Sequence, residues 1–245
     1  LSCGDSSRTD IPDGSVDAVV TDPPFFDNVH YSQLGDFFFV WQRHVQGGNA
    51  GIESSTRSVN EVQNQDVAAF SQRLAAVWSE SDRVLKDDAL LVFTYHHSPP
   101  ESWSSILEAL SIAGFTITAA HPIKAEMSVA MPKQQAKEPI DLDVILVCRK
   151  AKAVRAKPSR RPWSAVFLSG HTQVHRRRRV GRILSRNDIR VIVTAQALRY
   201  ASALGNPSDA LAGLKERLGD IDCLIDQLHT APSIHEAVAT SAKAE

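Results

Sequence analysis

Val16-Asp17-Ala18-Val19-Val20-Thr21-Asp22-Pro23-Pro24-Phe25-Phe26-Asp27-Asn28-Val29-His30-Tyr31 begins as an apolar, β-branched run and stops at an acidic residue followed by two prolines. Such a pattern predicts a buried parallel strand over 16–21 that empties into a stiff loop with few backbone donors. Ligands of open α/β sheets collect outside the carboxyl ends of the strands, so Asp22, Pro23, Pro24 and Phe25 stand where chemistry is expected.

Working outward, Leu1-Ser2-Cys3-Gly4-Asp5 is a short apolar ending, and Ile11-Pro12-Asp13-Gly14-Ser15 is a turn that leads into the strand. Downstream, Leu34, Phe37, Phe38, Val40 and Trp41 recur at helical spacing and predict an aromatic helix over 31–45. The Gly/Ser-rich stretch 46–60 reads as a loop. Its Gly47-Gly48-Asn49-Ala50-Gly51 follows a helix rather than a strand, which argues against a phosphate cradle.

The spacing of Val67, Phe70, Leu74, Val77, Trp78 and Val84 predicts an amphipathic helix over 66–85, ended by Lys86-Asp87-Asp88. A second buried strand is expected over 89–95, running into His96-His97-Ser98-Pro99-Pro100. Those two histidines lack Cys or carboxylate neighbours at ligand spacing and read as loop hydrogen-bonders rather than a metal or catalytic pair. A helix over 101–113 stops at Gly114, in the position of a C-terminal cap. Strands over 115–121 and 142–148 follow. Alternating elements that close on two consecutive strands predict an α/β sheet of doubly wound type finished by an antiparallel pair.

The charge distribution marks a boundary. Residues 1–148 carry 9 Lys+Arg against 20 Asp+Glu, whereas 149–186 carry 13 against none, so the middle segment is a concentrated positive block. It contains Arg176-Arg177-Arg178-Arg179. We expect three regions: a catalytic half over 1–150, a basic linker over 151–186 and a helical C-terminal region over 187–245. Within the last, amphipathic helices are expected over 188–204 and 208–228, with an Ala/Ser-rich tail beyond Thr230.

At 245 residues and 43% hydrophobic content the chain has material for a real core. No apolar run approaches the roughly 20 residues of a membrane-spanning helix, so a cytoplasmic protein without a membrane partner is expected. Cys3, Cys148 and Cys223 are odd in number and far apart, which indicates neither a disulfide framework nor a zinc site. The chain opens on Leu1 rather than Met and is expected to be a piece of something longer.

Asp22-Pro23-Pro24-Phe25, at the end of Val-Asp-Ala-Val-Val-Thr, resembles the catalytic Asp-Pro-Pro-Tyr/Phe motif of amino-group DNA methyltransferases. The extension through Phe26, Asp27, Asn28, Tyr31, Asp36, Phe37, Phe38 and Trp41 is similar to a subgroup of large bacterial adenine-specific DNA methylases. Arg83-Val84-Leu85-Lys86, Ala113-Gly114-Phe115 and His121-Pro122-Ile123 resemble the same subgroup, so the likeness covers about 1–150.

The resemblance implies a partial Rossmann-like class I methyltransferase sheet, S-adenosylmethionine as cofactor and DNA as partner. It implies that the Asp22 carboxylate and the Pro23 carbonyl accept hydrogen bonds from an exocyclic amine, and that Phe25 stacks on a flipped base. Asp5 would lie near the adenine moiety of the cofactor, with a turn cap as its plain alternative. Phe26, Asp27, Asn28 and Tyr31 would line the pocket, and plain core packing is the alternative for Phe26. The acid-free run Arg176 to Arg179 is expected to track phosphates, with a solvated linker as its alternative.

One departure matters. The family's Gly-rich cofactor loop and the acidic end of its second strand are missing, so the cofactor-binding half is expected upstream or on a separate chain. Transfer to the cytosine amine, and a non-catalytic fragment that binds nucleic acid or a partner, stand as alternatives. Methylation of RNA or of a protein glutamine fits less well, because Asn usually stands at the position of Asp22 in glutamine-modifying relatives.

Overall fold

Among the described residues, period-two runs of β-branched and aliphatic residues form four strands: β1 (Val16–Thr21), β2 (Leu85–Tyr95), β3 (Phe115–Lys124) and β4 (Leu142–Lys150). Among the described residues of the computed structural model, seven α-helices accompany them: α1 (Tyr31–Val45), α2 (Val67–Val84), α3 (Pro100–Ile112), α4 (Pro162–Arg179), α5 (Arg186–Ser202), α6 (Pro207–Glu216) and α7 (Leu218–Thr230). The structure describes residues 4–26, 29–45, 57–58, 60–97, 100–125, 140–154, 162–204, 207–216 and 218–230.

The sheet has the order β1-β2-β4-β3, with β1 and β2 parallel and β4 antiparallel to both of its neighbours. The antiparallel pair expected to finish the sheet is present, and β4 inserts between β2 and β3. The carboxyl ends of β1, β2 and β3 therefore share one edge with the amino end of β4.

In β2 the side chains Ala89, Leu91, Phe93 and Tyr95 are buried while Leu90, Val92 and Thr94 between them are half-buried. β4 repeats the pattern with Val144, Leu146 and Cys148 inside. One face of the sheet thus carries the core, completed by Phe70, Trp78, Trp103 and Ile106 from α2 and α3. Burial holds the Cys148 thiol well above its usual value, as suits an inert core sulfur.

Three expectations change. The strand at 16–21 is not buried: β1 is the rim of the described sheet, and Val20 is 77% exposed because no described strand lies outside it. The helix ends at Val84 and β2 starts directly after it at Leu85, so Lys86-Asp87-Asp88 lie inside the strand, where Lys86 pairs with Asp17 at 2.6 Å and Asp87 with Lys152 at 2.8 Å. Finally, 151–186 is not only a linker, because half of its residues, Pro162–Arg179, form the 18-residue helix α4.

The C-terminal helices join the same core. α5 buries 12 of its 17 residues, including Ile189, Ile192 and Leu198, so it is apolar almost all round rather than amphipathic. Two of its interior polar side chains, Gln196 and Ser202, match a defect in β3. The register of β3 slips between Ile117 and Ala119, and nearby the Ile117 N–H donates to Ser202 Oγ at 3.0 Å while Gln196 Nε2 donates to the Ala120 carbonyl at 3.1 Å. Asp188, 1% exposed, closes a capping box with Ser185 and also accepts the Asp141 and Leu142 N–H groups at 2.8 and 3.1 Å.

Candidate active site at the carboxyl edge

Parallel pairing sets Thr21 opposite Phe93, which brings the next residues, Asp22 and Thr94, together beyond the end of β1. The Thr94 hydroxyl donates to the Asp22 carboxylate. Pro23 is buried and seats the loop, leaving Asp22 exposed. A tight turn follows, in which the Phe26 N–H donates to the Pro24 carbonyl at 3.1 Å.

Phe26 has φ 53°, left-handed for a residue with a side chain, a conformation that costs on the order of 1–3 kcal/mol and needs surrounding contacts to hold it. Those contacts are present: its ring meets Phe70 edge-on at 5.4 Å and His97 at 6.1 Å. Phe26 is accordingly an anchor into the core. Phe25 is half-buried, its ring edge-to-face with Tyr95 at 5.4 Å and with His96 at 4.8 Å.

The floor behind these rings is fixed. Tyr95 donates to the Ser102 carbonyl at 3.2 Å, Trp103 Nε1 donates to the His97 carbonyl at 3.0 Å, and the two rings meet at 5.1 Å. Burial pushes the Tyr95 phenol well above its usual range, so it acts as a neutral donor. His96 is not a plain loop residue. Its Nδ1 is hydrogen-bonded to the carboxylate of Asp143 at the amino end of β4, a partner 47 residues away that no local spacing reveals.

A cavity of about 460 Å³ opens between the end of β1 and α2, lined among others by Asp22, Pro23, Pro24, Ser6, Trp78 and Glu80. The Glu80 carboxylate is occupied: it binds Arg83 at 2.7 Å and accepts from Thr9 N at 2.7 Å and Thr9 Oγ1 at 2.6 Å. The Arg83 hydrogen bond, then those from Thr9, hold this carboxyl far below its usual value of 4.5. Trp78 is wholly buried, and its Nε1 has no hydrogen-bond partner among the described residues.

No protein-family model and no curated protein matches the chain.

The remaining sequence candidates disperse. Asp5 sits in a local turn, accepting from Ser7 N at 2.8 Å and Ser7 Oγ at 2.7 Å, bonds that lower its carboxyl. Tyr31 is the first residue of α1 and is 56% exposed. Asp27, Asn28 and the Gly47 to Gly51 stretch lie outside the described residues. The four arginines do not form one track, since consecutive helical residues point about 100° apart. Arg177 turns to the Pro122 carbonyl, and Arg178 reaches the His229 carbonyl at 3.4 Å.

S-adenosylmethionine does not fit the described residues. Asp5 is committed to Ser7, Glu80 to Thr9 and Arg83, and no described strand runs into a Gly-rich loop. Among the described residues no group of three or more His, Cys, Asp and Glu is placed to hold a metal, and no helix is long and apolar enough to cross a membrane.

Proposed function

We propose that this chain supplies the amine-holding half of an S-adenosylmethionine-dependent DNA methyltransferase acting on the exocyclic amine of adenine. The observation that supports it most is Asp22-Pro23-Pro24-Phe25 at the carboxyl end of β1, with Asp22 exposed and tethered by Thr94.

An aromatic amine is a poor nucleophile because its lone pair is delocalised into the ring. The Asp22 carboxylate and the Pro23 carbonyl are both acceptors, and two acceptors on one NH₂ favour a pyramidal nitrogen. Proline fits the position because it offers a carbonyl with no competing N–H. Phe25 closes one side of the base and is itself backed by Tyr95 and His96. A base reaches such a pocket only after leaving its stack.

S-adenosylmethionine, when bound, supplies an electrophilic methyl group. Its site is assigned to an upstream segment or a separate chain. The exposed rim strand β1 and the helix α1, which buries no residue and exposes Leu34, Phe37, Phe38 and Trp41, are the surface such a segment would cover. The poor fit of the cofactor also favours a second reading, a non-catalytic chain that binds nucleic acid.

The test uses the full-length form of the protein with DNA and S-adenosylmethionine, followed by mass spectrometry of the nucleosides. N6-methyladenine is expected. N4-methylcytosine would move the substrate to cytosine, and neither product from a preparation that binds both ligands would leave the non-catalytic reading.

A further inference from the structure

The last turn of α4 ends in a hydrogen-bonded cap that folds the chain back. Gly181, at φ 79°, donates to the Arg178 carbonyl at 2.9 Å, and Arg182 N–H donates to the Arg177 carbonyl at 3.1 Å. This is the double hydrogen bond of a Schellman turn, which needs a left-handed residue at the glycine position. Its consequence is spatial. Arg182, six residues beyond Arg176, comes back to line the same hollow.

Arg177 fixes the other wall. By bonding the carbonyl of Pro122, it docks α4 on the carboxyl end of β3. Between them lies a recess of about 400 Å³ whose polar lining is His121, Lys124, Gln173, Arg176, Arg177 and Arg182. Among the described residues no Asp or Glu lines it, and Lys124, Arg176 and Arg182 have no carboxylate partner. The basic residues come from three separate elements, and one of them, Arg177, is spent on building the recess.

The recess shares an edge with the candidate active site. From β1 to β3 the edge carries Asp22 and Phe25, then the His96–Asp143 pair, then His121 to Lys124. Three strand spacings separate its ends, on the order of 15 Å. A free anion has no reason to require that alignment, whereas a polymer held at one end by its base and farther along by its backbone does.

We infer that this recess binds a backbone phosphodiester of the nucleic-acid strand, through Lys124, Arg176 and Arg182. The choice of ligand rests on the proposed function; the recess itself does not. It replaces the run Arg176 to Arg179 as the site of phosphate contact.

The test is binding of a fluorescein-labelled DNA duplex by anisotropy across a salt series, using the chain and its variants. Arg176→Ala/Arg182→Ala should weaken binding at least about tenfold and flatten the salt dependence by about two phosphate contacts' worth. Arg176→Lys/Arg182→Lys should restore most of both, which separates lost charge from lost fold. Lys86→Ala/Lys152→Ala removes two cations from the opposite edge and should leave affinity within about twofold, as a non-specific charge effect would not.

Equal losses in the two alanine pairs, or no loss in the first, overturn the inference. So does displacement of the duplex by inorganic phosphate at matched ionic strength, which would mark a free-phosphate site. Asp22→Ala separates the two claims: it should keep duplex affinity and abolish methyl transfer in the full-length protein. Retained transfer would refute the amine clamp while leaving the recess standing.

Discussion

Thr94 lies on β2 and Asp22 follows the last residue of the neighbouring parallel strand β1, and the threonine hydroxyl donates to the carboxylate that the proposed chemistry depends on. The contact fixes the orientation of an otherwise exposed acid. Thr94→Val keeps the β-branched shape and removes the donor. A hydrogen bond to a charged group is worth about 1.5–3 kcal/mol when shielded and less in solvent, so transfer should fall roughly three- to tenfold. Steady-state kinetics of the full-length protein, with an unchanged melting temperature for the variant, checks this.

The Glu80 carboxyl ties the N-terminal loop to α2 through Thr9 and Arg83 and titrates below its usual value. A depressed folded-state pKa contributes stability that is present above the unfolded value of 4.5 and lost as pH falls through the lower folded value. Acidification should therefore loosen residues 5–13. Limited proteolysis below about pH 4.5 should cut there first, and Glu80→Gln should show the same cleavage already near neutral pH.

Gly181 can be tested without nucleic acid. Its left-handed conformation costs an L-residue about 1–2 kcal/mol, so Gly181→Ala should lower the urea unfolding free energy by that amount. An unchanged midpoint would show that the turn after α4 does not depend on the glycine.

The aromatic stripe of α1 and the aromatic core should respond oppositely to truncation. Phe37 and Trp41 are 64% and 59% exposed, so replacing both with Ser should change stability by no more than about 0.5 kcal/mol per site. Trp78, 0% exposed, should cost about 3–5 kcal/mol as Trp78→Ala. Chemical denaturation of the isolated chain distinguishes them.

Much of the sheet is legible in the sequence because β-branched alternation and helix periodicity are local signals. The strand-to-loop transition at Asp22, the aromatic helix over 31–45 and the cap at Gly114, with φ 78°, follow from residue type alone. What escapes are relationships between distant segments. Asp143 reaches His96 only because β4 inserts beside β2, and Lys124 and Arg182 line one recess only because Arg177 ties α4 to β3. The four arginines mislead in one dimension, since a contiguous run on a helix faces several directions at once. Composition alone gave α4 away least: a proline-flanked basic stretch looks like a linker until Val166 and Val174 are seen buried against the core.

The most direct measurement of the central claim is methyl transfer by the full-length protein carrying Asp22→Ala, read by mass spectrometry of N6-methyladenine in the DNA substrate. Loss of a preorganised polar contact to the reacting amine should lower the rate by at least about a hundredfold, with duplex binding and melting temperature unchanged. Transfer at the wild-type rate would contradict the assignment of Asp22 as the residue that holds the amine.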